Sequence, residues 1–414
     1  MTRIRKAEVG LRRVGLLGGG QLGRMTIEEA RKYPSWFAVL TPDVPSPAAD
    51  LADEVIIGDL MDPEAVLDLG GRVDVLSYEI EHVSVAALKE LESRGVPVIP
   101  GSAVLERIQD KGLQKRLWDE AGLPQAPWID LPDDVAALPG VDRAEVLRSR
   151  ADRVGGFPVV QKLRRGGYDG RGVRILSSPD DEPLPGPSFL EALVDFSKEL
   201  AVVIVRSPGS APAAYPCVEM VFDSAANLCD SVRAPADEPS EILESALRTA
   251  LDCTEALDRA ARNASPGGAG AVGVFGVELF RTRDGRVLVN EVAPRPHNSG
   301  HFTQDACAAS QFEQYYRILA GLPPASTEQF RPARMLNILG APGYSGQPEY
   351  RGLTEALAIP GVNVHLYGKR EVRPYRKMGH LTAVADTAEE AARRAEAARS
   401  MLRVLSLRTL SQGS

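Results

Sequence analysis

Residues 273–301 read GVFGVELFRTRDGRVLVNEVAPRPHNSGH. Two apolar runs, 274–280 and 287–292, flank the polar tetrapeptide Arg283-Asp284-Gly285-Arg286. An Asp-Gly pair between such runs signals a hairpin, because a two-residue type I′ turn needs φ > 0 at both central residues. With Asp284 and Gly285 at the centre, Arg283 faces Arg286, and Glu278 lies directly opposite Glu291 with Cβ atoms about 5 Å apart. Like charges so placed destabilise a hairpin. A divalent cation relieves this, and Mg²⁺ held by one or two carboxylates plus substrate phosphates is the usual nucleotide-site arrangement. Without an ion, one carboxylate must take up a proton. A register off by one leaves two unrelated surface glutamates.

The 414 residues leave room for several domains, and 44% hydrophobic with 25% charged residues is ordinary for a globular protein. A net charge of −8 argues against a general nucleic-acid binder. Cys217, Cys229, Cys253 and Cys307 show no metal or disulfide spacing, which fits a reducing cytoplasm. The basic start, 1–13, precedes an apolar run too short for a signal peptide, and no stretch approaches a membrane span.

Upstream, a strand at 13–17 runs into Gly18-x-Gly20-x-x-Gly23, which opens a helix over 21–32. With Asp43 after the next strand, 37–40, this is a dinucleotide fingerprint. Any anion can use such a helix N-terminus, so the pattern is weak, and the Gln21 and Leu22 amides are candidate donors to a phosphate. Further strands at 54–57, 73–77 and 96–99, with helices at 63–69 and 85–93, predict an α/β, doubly wound parallel sheet. Glu79 follows a strand end, where ligands of such sheets lie. One helix is expected over 109–123, carrying Lys111, Lys115 and Arg116, a pattern equally typical of a solvated face.

Lys162 ends a strand before Arg164-Arg-Gly-Gly-Tyr-Asp-Gly-Arg-Gly172, a glycine flap whose amides suit phosphates. No Gly-Lys-Ser/Thr follows, so it is not a Walker loop. Glu191 and Glu199 are placed for a nucleoside, 241–263 is an amphipathic helix, and Arg295, His297, Asn298 and His301 occupy an irregular loop beside the glutamates. Near the end, Lys369, Arg373, Arg376 and Lys377 suggest a phosphate site in an acidic protein, although a basic cluster is more often a solvated face. Thr387 and Glu390 form a capping box.

GLLGGGQLGRM (15–25), YEIEHV (78–83), QDKGLQK (109–115), FPVVQK (157–162), GGYDGRG (166–172), GVELF (276–280), NEVAPRPHNSGH (290–301) and RKMGH (376–380) together resemble the N5-carboxyaminoimidazole ribonucleotide synthetase family. The motifs run in family order over nearly the whole chain. The resemblance implies an N-terminal α/β domain (1–108), a central ATP-grasp domain of two subdomains (109–325, lid about 125–195) and a small C-terminal domain (326–414). It implies ATP and Mg²⁺ as cofactors, 5-aminoimidazole ribonucleotide and bicarbonate as substrates, carboxyphosphate as intermediate, and a homodimer. Carried over by motif, Glu278, Asn290 and Glu291 hold Mg²⁺. Lys111, Lys162, Gly167, Tyr168, Asp169, Gly170, Arg171, Gly172, Val173, Glu191, Ala192, Leu193, Val194, Glu199, Asn290 and Glu291 bind ATP. Gln21, Leu22, Glu79, His297, Asn298, Lys369, Arg376 and Lys377 take the ribonucleotide, while Tyr168, Asp169, Arg171 and Arg295 act near the transferring phosphoryl. Lys111 stands where many relatives carry Arg, and Arg171 where Lys is common. The stretch 215–237 lacks the family's Asn–His pairing and receives no assignment.

A formate-using glycinamide ribonucleotide transformylase is the nearest rival, disfavoured by GGQLGRM and HNSGH. A nicotinamide-dependent oxidoreductase rests only on Gly18, Gly20, Gly23 and Asp43, and leaves the flap and the glutamate pair without a role.

Overall fold

Short aliphatic runs bounded by glycine and proline build the N-terminal unit. The computed structural model describes residues 11–166, 172–223 and 228–407. Its first sheet has four parallel strands in the order Glu54–Ile57, Phe37–Thr41, Val14–Leu17, Val75–Tyr78. Helices Gln21–Ala30, Pro63–Gly70 and Val85–Ser93 accompany it. The strand expected at 96–99 is only an isolated parallel bridge from Leu76 to Val98. Pro97 and Pro100 bracket it and supply no N–H, so a ladder cannot propagate.

The helix expected at 109–123 is present but shorter, Lys111–Glu120, and a second helix not expected from sequence precedes it. Ser102–Gln109 and Lys111–Glu120 are separate helices, broken where Asp110 turns extended (φ −115°, ψ 101°). The Asp110 carboxylate accepts from Gly112 N (3.0 Å) and Leu113 N (3.2 Å), an N-cap that starts the second helix.

A smaller antiparallel sheet follows, ordered Trp128–Asp130, Ser188–Ala192, Val159–Leu163, Val173–Leu176, with helix Gly140–Asp152 against it. Leu131, Val135, Leu147, Val159, Leu176 and Leu190 form a core of its own.

The largest sheet has nine strands, running Val287–Ala293, Gly273–Thr282, Phe196–Arg206, Val218–Asp223, Leu228–Ala234, Ala333–Leu339, Lys377–Val384, Val362–Leu366, with Ala213–Ala214 paired to its side. The strand Leu228–Ala234, whose polar Asp230, Ser231 and Arg233 concealed it, carries the central sheet into the C-terminal strands without a break. One apolar core spans Val14, Leu16 and Phe37 of the N-terminal sheet, Tyr315 and Tyr316 of helix Gln311–Ala320, and Val203, Val274 and Met335 of the large sheet. Helix Ala388–Met401 covers the C-terminal strands, capped by Thr387, whose hydroxyl accepts from Glu390 N at 3.2 Å. Among the described residues no helix is long and apolar enough to cross a membrane.

Candidate active site

The hairpin opposes Glu278 to Glu291, by a route the Asp-Gly pair did not predict. The turn has three residues, not two: Thr282 N donates to Arg286 O (2.9 Å), Gly285 N to Thr282 O (3.0 Å), and Gly285 takes φ 89°. Arg283 therefore does not face Arg286, and near the turn the partners are Arg281–Val287, Phe280–Leu288 and Leu279–Val289. An irregularity after Glu278 then leaves Asn290 as an extra residue and restores Glu278–Glu291, Val277–Val292 and Gly276–Ala293. The two one-residue shifts cancel. A bulge sets two consecutive side chains toward similar surroundings. Asn290 donates to Glu278 Oε2 (3.4 Å) and accepts from Lys162 Nζ (3.2 Å), while the neighbouring Glu291 accepts from Lys111.

Three lysines converge on this floor. Lys111 opens helix Lys111–Glu120, and Lys162 comes from the lid strand Val159–Leu163. Burial disfavours the Lys111 charge, but contact with Glu291 and the nearby Glu278 and Glu191 raise its pKa, and Lys111 in turn holds Glu291 low. Lys115, read from sequence as equally suited to a solvated face, is buried. It reaches Glu191 Oε2 at 2.7 Å, while Lys162 reaches Oε1 at 2.5 Å. Burial opposes an ionised Glu191, yet the two ammonium groups keep its pKa below the ordinary glutamate value. The Glu191 carboxylate thus holds lysines rather than facing the cleft as a nucleoside contact.

Beside Glu191, Ala192 N donates to Pro127 O (2.9 Å), Leu193 is exposed, and Val194 O accepts from Phe196 N (3.1 Å) where the chain crosses to the central sheet. There Glu199 is pushed up to about 7, first by burial and then by the charge of Glu278 and Glu291, against the pull of Lys162. Oxygen donors from Glu278, Glu291 and Asn290, amid negative charge strong enough to raise a neighbouring acid, fit a hard divalent cation. Among the described residues no group of three or more His, Cys, Asp or Glu could hold a metal, so these side chains would supply only part of such a cation's shell.

Val173 lies opposite Lys162 in the lid sheet, one residue after Gly172. Gly167, Tyr168, Asp169, Gly170 and Arg171 lie outside the described residues.

At the far end of the floor, Glu79 fills the glycine turn. Its carboxylate accepts from Gly20 N and, at 2.6 Å, from Gly23 N, beside Gln21 and Leu22. A Cβ on Gly18 would come within 2.5 Å of Glu79 Cγ, so the glycines admit a carboxylate from the chain itself. A dinucleotide pyrophosphate would have to displace it, which removes the structural basis of the oxidoreductase reading. Burial raises the Glu79 pKa, opposed by the two backbone amides, Arg295 and Lys369.

Arg295 grips Glu81 (Nε–Oε1 2.8 Å), and His297 Nε2 lies 3.1 Å from Glu278 Oε1, nearer the carboxylate pair than its expected ribonucleotide role implies. A Cβ on Gly276 would come within 2.4 Å of His297 Cβ, so this approach requires glycine. Among the described residues Asn298 Nδ2 is buried with no oxygen or nitrogen partner, beside the Cys229 thiol, the kind of group a polar ligand satisfies. Lys369 Nζ donates to Lys377 O (2.7 Å) and Arg376 to Glu371 O (2.7 Å), whereas Arg373 pairs with Glu371 at the surface. His301 is a core residue: its ring lies 4.7 Å from His380, which stacks on His365 at 4.6 Å. Burial drives the His301 and His380 pKa values well below the usual histidine value.

Comparison with known proteins gives related domains along nearly the whole chain. Residues 11–109 match the ribonucleotide synthetase preATP-grasp domain, 130–312 the ATP-grasp domain, and 333–394 the phosphoribosylaminoimidazole carboxylase C-terminal domain. The N5-carboxyaminoimidazole ribonucleotide synthase of Synechococcus elongatus is 36% identical over 94% of this chain and 93% of its own length. The crystal structure of the synthetase from Thermotoga maritima superposes with a TM-score of 0.83 at 41% identity, covering 96% of this chain and 100% of that one. The chain belongs to the N5-carboxyaminoimidazole ribonucleotide synthase family. An Aspergillus clavatus synthase solved with ADP and 5-aminoimidazole ribonucleotide has a TM-score of 0.81 at 33% identity, covering 94% of this chain and 98% of that one. The Schizosaccharomyces pombe phosphoribosylaminoimidazole carboxylase is 36% identical over 92% of this chain, which spans 66% of that protein's length.

Within a synthase of this family, the predicted residues gather at two ends of one floor: Lys111, Lys162, Glu199, Glu278, Asn290 and Glu291 at one, Glu79, Arg295 and Asn298 toward the other. Sequence reasoning passed over Arg24, which pairs with Glu28 (2.8 Å) and lies 2.6 Å from where a Cβ on Gly368 would sit, at the start of the basic loop. Its signal was its place in GQLGRM. It left Lys115 undecided and passed over Asp110 and Arg164, whose partners are distant in sequence.

Proposed function

We propose that this protein carboxylates 5-aminoimidazole ribonucleotide with bicarbonate at the expense of ATP, giving N5-carboxyaminoimidazole ribonucleotide, ADP and phosphate in purine biosynthesis. The observation that carries the reading is a single floor with an opposed carboxylate pair and lysines at one end and the Glu79–Arg295 cluster at the other.

In this reading Lys111 and Lys162 bind ATP phosphates, which requires Lys111 to leave Glu291 as phosphate arrives. Glu278, Glu291 and Asn290 hold Mg²⁺, which when bound neutralises charge on the transferring phosphoryl group. Catalysis of that transfer is mainly positioning and electrostatics. Residues 191–194 and Glu199 face the nucleoside, with the Glu191 side chain supporting the lysines. Gly167, Tyr168, Asp169, Gly170, Arg171, Gly172 and Val173 form the phosphate flap, and Tyr168, Asp169, Arg171 and Arg295 act on the bicarbonate-derived group. Gln21, Leu22, Glu79, His297 and Asn298 bind the ribonucleotide, with Lys369, Arg376 and Lys377 at its phosphate. The amine nitrogen bonds to the carboxyl carbon of carboxyphosphate, the carbon–oxygen bond to phosphate breaks, and the nitrogen loses a proton. The enzyme is proposed to act as a cytoplasmic homodimer, with domains at 1–108, 109–325 and 326–414.

The test is ADP release with Mg²⁺, ATP and bicarbonate, with and without 5-aminoimidazole ribonucleotide. Strong stimulation with loss of the free amine is expected. ADP release dependent instead on formate and glycinamide ribonucleotide would replace this reading with the transformylase. Glu291→Gln should lower turnover about a hundredfold while the protein stays folded, and near-normal turnover would sink the metal assignment.

A further inference from the structure

Lys111 and Lys162 reach the cleft from units with separate cores, yet the main chains beside both meet around one carboxylate, Asp110, which Arg164 grips and Arg165 approaches at 3.6 Å. Asp110 precedes Lys111, and Arg164 lies two residues after Lys162. The Arg164 guanidinium grips the Asp110 carboxylate through both oxygens, Nε to Oδ1 at 2.9 Å and Nη2 to Oδ2 at 2.8 Å. The same Oδ1 caps the helix through Gly112 N and Leu113 N. The backbones are tied as well, since Lys111 N donates to Arg164 O at 2.8 Å. Asp110 is buried at 5% exposure, and a Cβ on Gly112 would come within 2.8 Å of Arg164 Nε, so no side chain fits between them.

We propose that Asp110 and Arg164 are positioning residues, a brace that sets the spacing between Lys111 and Lys162 for phosphate binding. The proposal rests on the assignment of those two lysines to ATP. A bidentate guanidinium–carboxylate fork fixes orientation as well as distance, which a lysine cannot do. The geometry matters because a misplacement of about 1 Å can cost a hundredfold in rate. The remaining contacts of the lysines, to Glu291, Asn290 and Glu191, are with side chains inside the cleft. Helix Lys111–Glu120 also meets the lid through Lys115–Glu191, Arg116–Asp130 and Asp119–Trp128, but these lie further along it, and Asp110–Arg164 is the tie beside the main chains of the two lysines themselves.

The experiment compares the parent protein with Asp110→Asn, Arg164→Lys and the double variant by steady-state ADP release. Asparagine is a good N-cap, so Asp110→Asn keeps the helix start and removes the charge. Each single variant should raise KM for ATP about tenfold or more, with KM for 5-aminoimidazole ribonucleotide unchanged within about twofold. The double variant should be no worse than the poorer single one, because the interaction is lost only once. An unchanged KM for ATP would overturn the brace. So would losses that multiply in the double variant, or a fall in kcat alone that tracks a smaller folded fraction by circular dichroism. If the parent releases no ADP with either substrate pair, the ATP reading fails and the brace falls with it.

Discussion

The N-terminal unit and the lid attach to the same central sheet by opposite means. The N-terminal sheet shares one apolar core with helix Gln311–Ala320 and the large sheet. Polar ties reinforce that seam: Tyr315 OH donates to Tyr78 O at 2.9 Å, and Glu313 accepts from Lys32 (2.9 Å) and Tyr33 (2.8 Å). The lid keeps a core to itself, and its polar ties to the body include Asp110–Arg164, Lys115–Glu191, Arg116–Asp130, Asp119–Trp128, Lys162–Asn290 and Gln125–Val289. Apolar burial is non-directional and is lost steeply as surfaces part, so the first attachment is rigid. Polar contacts can be exchanged for water at small net cost, so the second has more freedom to adjust.

Four measurements probe this difference. Phe37→Ala removes a fully buried ring beside Tyr316 (centroids 5.7 Å) and should cost about 3–5 kcal/mol in denaturant unfolding of N-terminal unit and large sheet together. Two separate transitions would break the claim of a shared core. Leu147→Ala, in the lid core, should cost about 2–5 kcal/mol but act locally. Hydrogen exchange should speed up in the lid strands and leave Val14–Leu17 unchanged.

Acid should act on the C-terminal junction before the lid brace. His301 and His380 stay neutral in the fold because burial comes first, reinforced for His301 by the charges of His297, Lys377, His365 and Arg295 and for His380 by His301 and His365. Asp305, which accepts from His365 Nε2 at 2.9 Å, also faces the stack. Their folded pKa values lie below the unfolded one, so their stability is present above about pH 6.5. It is lost as pH falls, by about 1.4 kcal/mol per unit for each group. Asp110, also depressed, keeps its contribution until pH falls through the carboxylate range. Burial opposes its ionisation, and the Arg164 hydrogen bond, the Leu113 amide and the Arg164 and Arg165 charges overcome it. Melting temperature should therefore drop between pH 7 and 5, and His380→Gln should flatten that slope. An equal slope in the variant would remove the stack as the cause. The smallest effect is expected from Arg283→Ala, which loses an exposed pair with Asp195 (2.8 Å) and should change stability by less than about 0.5 kcal/mol. A larger loss would mean that the hairpin tip anchors the lid.

Much of this organisation was legible because it rests on local patterns. Glycine followed by helix at 18–23, the capping box at Thr387 and the apolar runs flanking Asp284-Gly285 each commit the backbone within a few residues. The errors arose where several short-range rules had to be counted together. The three-residue turn and the Asn290 bulge each moved the register by one, so the opposition of Glu278 to Glu291 was expected correctly from an incorrect turn. Leu228–Ala234 was missed because the adjacent Asp230 and Ser231 interrupt any apolar alternation, and its pairing with Ala333–Leu339 spans about a hundred residues.

Sequence by itself determined the α/β architecture, the family motifs and the residue types at each end of the floor, because helix starts, turns and hydrophobic periods are written in neighbouring residues. Tertiary structure alone decided that Lys115 and Glu191 are buried partners, that Glu79 occupies its own glycine turn, that His301 belongs to a stacked core, and that Asp110 meets Arg164. Each of these depends on the direction of a side chain across elements distant in the chain, where burial and charge pairing act through space and leave no local pattern.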